Sequence, residues 1–235
     1  MMKRSLIILT CLATAFLFTS INADENIEEQ FETRYQTWKE SESYSTAKVM
    51  SHAGPLFTCS EFKEITNLGL PALPYIVRKM ERDSSEGYLW KAIEVIAKFK
   101  IYREYDRENK KVIFPDFPEL ELYDNLYLFW WQEGYKRTPQ LFDELYSRWK
   151  QSKHANNEES EKIYQRMINL GIPVIPYMMR EIEKGDSGLV PAVSYLTDGE
   201  ISEETSPTEC IRWWNENKEK WTIKFDDNEL NDNKK

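Results

Sequence analysis

The chain has 235 residues, and 31 lysines and arginines against 40 aspartates and glutamates give a net charge of −9. Hydrophobic residues make up 41 %, with only 8 glycines and 10 prolines, which excludes a disordered or linker-dominated chain. The acidic balance argues against a nucleic-acid partner, because contact with phosphates needs clustered cations. We therefore expect a globular protein of one or two domains.

The first 23 residues have the layout of a secretory signal peptide. Lys3 and Arg4 precede the apolar run 6–18, and a short polar exit ends at Ala23. The run is shorter than the ~20 residues that cross a bilayer, so a retained anchor is the less favoured alternative. We expect cleavage after Ala23 and a periplasmic or secreted protein, with membrane association only if the signal is retained.

The remaining chain contains an internal repeat. Residues 67–80 read NLGLPALPYIVRKM and residues 169–182 read NLGIPVIPYMMREI, with seven of 14 positions identical. The match extends upstream through aromatic and histidine positions and downstream to the pairs Trp130-Trp131 and Trp213-Trp214. Self-similarity of this kind predicts two copies of one structural unit.

The repeat sets the predicted domain organisation. We place the first unit at 24–141 and the second at 142–225. The first is longer because it carries an insert near 103–118, which we expect to be a surface loop with at most a short extended piece. The polar segment 226–235 is predicted to be a frayed tail.

Each copy carries residues that typically end one helix and begin the next. Gly69 and Gly171 suit the left-handed residue that ends a helix, and Pro71 and Pro173 suit the first turn of the next one. Apolar residues with helical spacing follow in both copies. They are Leu73, Ile76, Val77 and Met80 in the first copy and Ile175, Met178, Met179 and Ile182 in the second.

Further helices are predicted outside the duplicated segment. Capping boxes begin at Thr58 and Ser206, the second opening a helix that should run through Trp221. Another helix is expected over 88–99. Alternation with a period of two is absent except at 111–114, so we predict an all-α fold.

At NLGxPxxPYxxR the chain resembles the HEAT and HEAT-like helical repeats, over 58–100 and 156–200. In these repeats one helix ends in Leu-Gly-x-Pro, a second begins with Pro-x-x-Pro, and a third carries small and apolar residues such as Ala92 and Ile93. The flanking tryptophans are similar to those of uncharacterised exported bacterial proteins of this type. The resemblance implies two tandem HEAT-like units in a compact α–α repeat domain, a binding function and no shared catalytic residue.

Catalytic motifs are absent from the sequence. It lacks HExxH, GxSxG, a Walker A loop, GxGxxG and CxxC, so we expect no cofactor. With two histidines in all, a histidine-rich metal site cannot be built, and we expect no metal. His52 and His154 each lie 15 residues before the repeated asparagine. A paired acid–base or metal site is one interpretation, but recurrence in both units favours a structural role.

The eight tryptophans are the other unusual feature. Trp38 and Trp149 correspond to one another in the repeat and are predicted to be structural. Neighbours on a helix point about 100° apart, so one member of each Trp pair should be partly exposed. Core packing is the alternative for all of them. The candidate partner-binding residues are Trp90, Trp131, Trp214 and Trp221.

Two cysteines would remain after signal cleavage. Cys59 and Cys210 could form a disulfide in an exported protein. They do not occupy matching positions in the repeat, so we favour two free thiols.

Together these features favour an exported interaction module that binds a protein or peptide partner without catalysis. Its acidic surface would prefer basic partners. The alternative is an exported carboxylate-dependent hydrolase that acts on envelope or extracellular glycan, and a structural envelope protein is a third interpretation. The acids that could serve a hydrolase are Glu158, Glu159, Glu161, Glu200, Glu203 and Glu204.

Overall fold

The computed structural model describes residues 27–49, 54–118, 125–152 and 157–223. The predicted signal peptide, His52, His154 and the tail 226–235 lie outside these residues. The described chain is helical apart from one short hairpin, which confirms the all-α prediction. Among its helices, none is both long enough and apolar enough to cross a membrane.

By its internal contacts the chain divides into two units, one up to Arg78 and one from Lys79. The helices of the first unit are α1 (27–40), α2 (Glu42–Val49), α3 (Gly54–Thr58) and α4 (Ser60–Thr66). Helix α5 (Leu73–Arg82) spans the division. The elements of the second unit are α6 (Trp90–Ala97), β1 (Glu104–Asp106), β2 (Lys111–Ile113), α7 (Leu126–Gln132), α8 (Thr138–Ser152), α9 (Asn157–Asn169), α10 (Ile175–Glu183), α11 (Val190–Leu196) and α12 (Pro207–Asn217). The boundary predicted between the two repeat copies, at 141 and 142, falls inside α8. The division of the sequence into two copies remains a prediction.

Aromatic side chains form the core of the first unit. Helix α1 buries Phe31, Tyr35 and Trp38, which recur on one side of the helix. The Trp38 ring packs 5.4 Å from Phe62, and its indole N–H donates to the Leu56 carbonyl at 3.3 Å. Trp38 therefore contributes both apolar area and a satisfied polar group to this core.

Of the two predicted capping boxes, one is confirmed and one is wrong. Ser206 Oγ accepts from the Glu209 N–H at 3.3 Å, and Glu209 Oε2 accepts from the Ser206 N–H at 3.4 Å, so α12 has a capping box. Thr58 instead ends α3, and its hydroxyl donates to the Gly54 carbonyl at 3.3 Å. Helix α4 begins after Cys59, whose side chain makes no capping bond.

The duplicated segment has the same backbone in both copies. Gly69 has φ 68° and ψ −159°, and Gly171 has φ 76° and ψ −164°. Both φ values are positive, but both ψ values are extended rather than left-handed helical. Only glycine readily adopts this combination of φ and ψ. The prediction that each glycine is a left-handed helix cap is therefore wrong in its detail. A 3₁₀ turn containing the proline follows each glycine and leads into α5 or α10.

The second unit packs α8 along α9 and α10 on α12. Cys210 of α12 is buried with its Sγ 3.7 Å from Met179 Sδ, and burial raises the pKa of its thiol to about 11. Cys59 and Cys210 are both free, which confirms the favoured prediction. Helix α12 ends at Asn217, so the prediction that it runs through Trp221 is wrong. That ring lies in the following turn.

The insert is more firmly anchored than a surface loop. Strands β1 and β2 form an antiparallel hairpin, preceded by α6, which is shorter than the helix predicted over 88–99. After the hairpin, Asp116 and Phe117 are buried. Asp116 forms an ion pair with Arg166 of α9, and the Phe117 ring meets Phe99 edge-on at 6.0 Å. The surface-loop prediction is therefore wrong for the end of the insert.

Candidate functional site

The four candidate tryptophans have different environments. Trp90 and Trp131 are half-buried, whereas Trp214 and Trp221 are each only 8 % exposed. In the pair on α12 the partly exposed member is Trp213. The reason is that Cys210 and Trp214 share the buried face of that helix, which turns Trp213 outwards.

A cleft of about 700 Å³ lies in the second unit beside Trp90. It is bounded by α6, by the chain that enters and leaves the hairpin, and by the beginning of α7. One wall is aromatic, because the rings of Trp90 and Tyr127 stack with 5.2 Å between centroids. The apolar residues that line it further are Met80, Ile101, Phe114, Leu126 and Leu128.

The beginning of α7 positions the Tyr127 side chain. Asn125 caps this helix, its Oδ1 accepting from the backbone N–H groups of Tyr127 and Leu128, both at 3.1 Å. The Tyr127 hydroxyl then donates to Glu94 Oε2 of α6 at 3.0 Å. Glu94 Oε1 accepts from Lys91 at 2.6 Å, so both carboxylate oxygens are engaged. The aromatic wall is thereby fixed from two helices.

The electrostatics of the cleft follow from this arrangement. Burial raises the pKa of Tyr127, and the negative charge of Glu94 and its hydrogen bond raise it further, while Arg103 opposes the shift. The phenol therefore stays protonated and remains a donor. Lys100 and Arg103 complete the lining as exposed cations. Neither side chain has a hydrogen-bond or ion-pair partner among the described residues.

This arrangement suits binding better than acid–base chemistry. Glycoside hydrolysis needs two carboxyl groups across one bond, and Glu94 is the only described lining residue with a carboxyl group. The acids proposed from the sequence lie elsewhere, on the surface. Glu158 pairs with Lys162, Glu159 with Arg148, and Glu200 with Lys220, while Glu161, Glu203 and Glu204 are exposed.

A second hollow, of about 370 Å³, mixes acids with arginines. Asp116 is ion-paired with Arg166, and Glu104 accepts from the Tyr102 hydroxyl at 2.7 Å. Both carboxylates are thus already engaged by side chains of the protein itself. We therefore interpret this hollow as a structural network. No group of three or more metal-ligating side chains occurs in the described parts of the chain.

Sequence reasoning found Trp90 but missed the residues around it. The signal was available, because the cleft residues have different counterparts in the second copy of the repeat. Continuing the pairing of Ala92 with Ala192, Glu94 corresponds to Ser194. Continuing the pairing of Trp130 with Trp213, Tyr127 corresponds to Cys210. The cleft thus belongs to the copy that carries the insert.

A scan of protein-family models found no match to this chain, and searches of the curated proteins and of the solved structures found none either.

Proposed function

We propose that this chain is an exported, non-catalytic binding module that holds a segment of a protein or peptide partner in the cleft beside Trp90 and Tyr127. The observation that carries the proposal is the cleft itself, with its aromatic wall, its apolar lining and two cations whose side chains have no partner in the described parts of the chain. Interfaces of this kind take their affinity from a few aromatic or arginine residues in a desolvated pocket. The signal-like segment 1–23 supports export.

The repeat supports the finer part of the proposal, that the fold is built from two HEAT-like units. Both copies of the duplicated segment have the same sequence of glycine, 3₁₀ turn and amphipathic helix. Both also bury the apolar stripe that follows, Leu73 to Met80 in one and Ile175 to Ile182 in the other. Stacked helical repeats commonly present a surface for partners, in keeping with a binding role.

The dimensions of the cleft suit a short segment of chain. Its volume lies within the range of ligand pockets, about 300–1,000 Å³. Tyr127 and Glu94 are already held by hydrogen bonds, so little side-chain freedom is lost on binding. The hydrolase alternative has less support, since the cleft offers one carboxylate with both oxygens occupied.

A displayed library of random peptides, selected against the protein beginning at Asp24, tests the proposal. We expect binders whose affinity falls at least tenfold in Trp90→Ala, about 1.4 kcal/mol. Trp213→Ala is the matched control, because that ring is also half-buried but does not line the cleft. Circular dichroism and thermal midpoints would verify that both variants fold. Failure to select binders, or binders insensitive to Trp90→Ala, would contradict the proposed function.

A further inference from the structure

We infer that the partner segment carries an acidic side chain next to an aromatic or branched apolar one, and that Arg103 and Lys100 bind the acidic group. This inference rests on the proposed function and specifies its ligand. It runs against the net charge of −9, which by itself favours basic partners. The charges that line the cleft, and not the net charge, determine which ligand is attracted there, because exposed charges act only over about a Debye length, ~8–10 Å at physiological salt.

The side chains of Lys100 and Arg103 have no acidic partner among the described residues. They occupy one stretch of chain on either side of Ile101, which itself lines the cleft. The paired cations show the contrast. Examples are Lys91 with Glu94, Lys98 with Asp198, Lys150 with Asp186, Arg166 with Asp116 and Arg180 with Asp143.

The segment that carries the two cations is held in place. The Lys100 backbone N–H donates to the Asn169 carbonyl at the end of α9, at 2.9 Å. The preceding Phe99 stacks on Trp130 with 4.4 Å between centroids. Arg103 directly precedes strand β1. Fixing the backbone lowers the cost of ordering these side chains around a ligand.

The single carboxylate of the cleft cannot attract a basic segment in the same way. Both oxygens of Glu94 are occupied, one by the Lys91 ammonium and one by the Tyr127 hydroxyl. A basic partner would instead approach Lys100 and Arg103 and be repelled. A carboxylate can bind the Arg103 guanidinium through two parallel hydrogen bonds, the strongest geometry open to that side chain.

The apolar part of the segment follows from the remaining walls. Trp90 and Tyr127 offer a stacked aromatic surface, and Ile101 and Phe114 add apolar area next to the cations. An aromatic or branched side chain would bury its area there. The acidic residue adjacent to it would then lie at the rim.

Four end-capped peptides test the inference by titration calorimetry. They are Ala-Asp-Phe-Asp-Leu-Ala, its amide analogue Ala-Asn-Phe-Asn-Leu-Ala, its basic analogue Ala-Lys-Phe-Lys-Leu-Ala, and Ala-Asp-Ala-Asp-Ala-Ala, which lacks the apolar groups. We expect the first to bind at least tenfold more tightly than the other three, with an affinity that falls as salt rises. Arg103→Gln should weaken its binding about tenfold, and Arg103→Gln with Lys100→Gln further. Arg107→Gln, an exposed cation at the turn of the same hairpin, should have no effect.

The inference is overturned if the acidic peptide binds no better than its amide analogue, or if Arg103→Gln leaves its affinity unchanged. It is also overturned if library binders that depend on Trp90 prove to be basic. In each of those cases the Trp90-dependent library binders would still uphold the proposed function. If neither the library nor these peptides show any binding that depends on Trp90, the proposed function fails, and the inference fails with it.

Discussion

Lys98 and Asp198 occupy the same position in the two copies of the repeat and form an ion pair with each other. Both have a positive φ, 54° for Lys98 and 55° for Asp198. Each lies just after a helix, α6 in the first copy and α11 in the second. The Lys98 ammonium also lies 5.5 Å from the centre of the Tyr195 ring. The ends of two corresponding helices thus meet through corresponding residues.

This relationship predicts the effect of replacing Asp198. Its side chain is 72 % exposed, so the ion pair should contribute only about 0–1 kcal/mol to stability. A left-handed backbone costs a non-glycine residue about 1–2 kcal/mol. Asp198→Gly should therefore leave the free energy of unfolding unchanged or slightly raised, while Asp198→Val should lower it by about 1–2 kcal/mol. Urea denaturation measures both, and a larger loss in the glycine variant than in the valine variant would refute the argument.

The two repeated glycines should respond differently to the same substitution. Both have a backbone that alanine adopts at a cost of about 1–3 kcal/mol. At Gly171 a Cβ would also lie 2.4 Å from the Ala97 carbonyl oxygen, whereas at Gly69 the nearest atom would be 3.9 Å away. Gly171→Ala should thus destabilise the protein clearly more than Gly69→Ala. Equal urea midpoints for the two variants would show that the close approach to Ala97 is relieved without cost.

The buried ion pair between Asp116 and Arg166 anchors the insert. Their side chains are 5 % and 11 % exposed, so removing one partner leaves the other as a buried charge without its counter-ion. Asp116→Ala should destabilise the protein by about 3–5 kcal/mol. The double variant Asp116→Leu with Arg166→Met should lose less than either single replacement by alanine. A double variant that loses the sum of the two single effects would contradict this view of the pair.

Asp186 should contribute to stability against acid. Burial alone would raise its pKa, but hydrogen bonds from Tyr146, Lys150 and the Gly188 N–H outweigh burial and lower it. A lowered pKa in the folded state means that the stabilisation is present above the unfolded value of about 3.9 and is lost as pH falls through the folded value.

Asp186→Asn should therefore reduce stability at pH 7 and make the loss of stability below about pH 4 less steep. Glu203→Gln, at an exposed carboxylate without an ion-pair partner among the described residues, is the comparison. Thermal midpoints between pH 2 and 7 measure the effect. If the thermal midpoint of Asp186→Asn fell as steeply with decreasing pH as that of the unmodified protein, Asp186 would not be a source of the acid sensitivity.

Local patterns account for what the sequence predicted correctly. Helical spacing of apolar residues identified the stripe from Leu73 to Met80, and Ser206 with Glu209 identified the capping box of α12. Both signals lie within a few residues of chain. The duplicated glycine and proline positions likewise predicted where helices end and begin.

The errors concern partners that are distant in the sequence or packing that no local pattern reveals. The sequence predicts Asp116 to be an exposed acid, because its ion-pair partner Arg166 is 50 residues away along the chain. The outward member of the Trp213-Trp214 pair depends on which face of α12 meets α10. The cleft depends on how the insert returns to α6, so only Trp90, which lacks a repeat partner, pointed to it beforehand.

In-cell photocrosslinking from within the cleft tests the central claim most directly. Benzoylphenylalanine would replace Phe114, which lines the cleft, and in a control protein Phe57, which does not. We predict that Phe114 yields a crosslink to one reproducible partner, that Trp90→Ala abolishes it, and that Phe57 does not yield it. The same adducts from both positions, or no Trp90-dependent adduct from Phe114, would contradict a partner segment bound in this cleft.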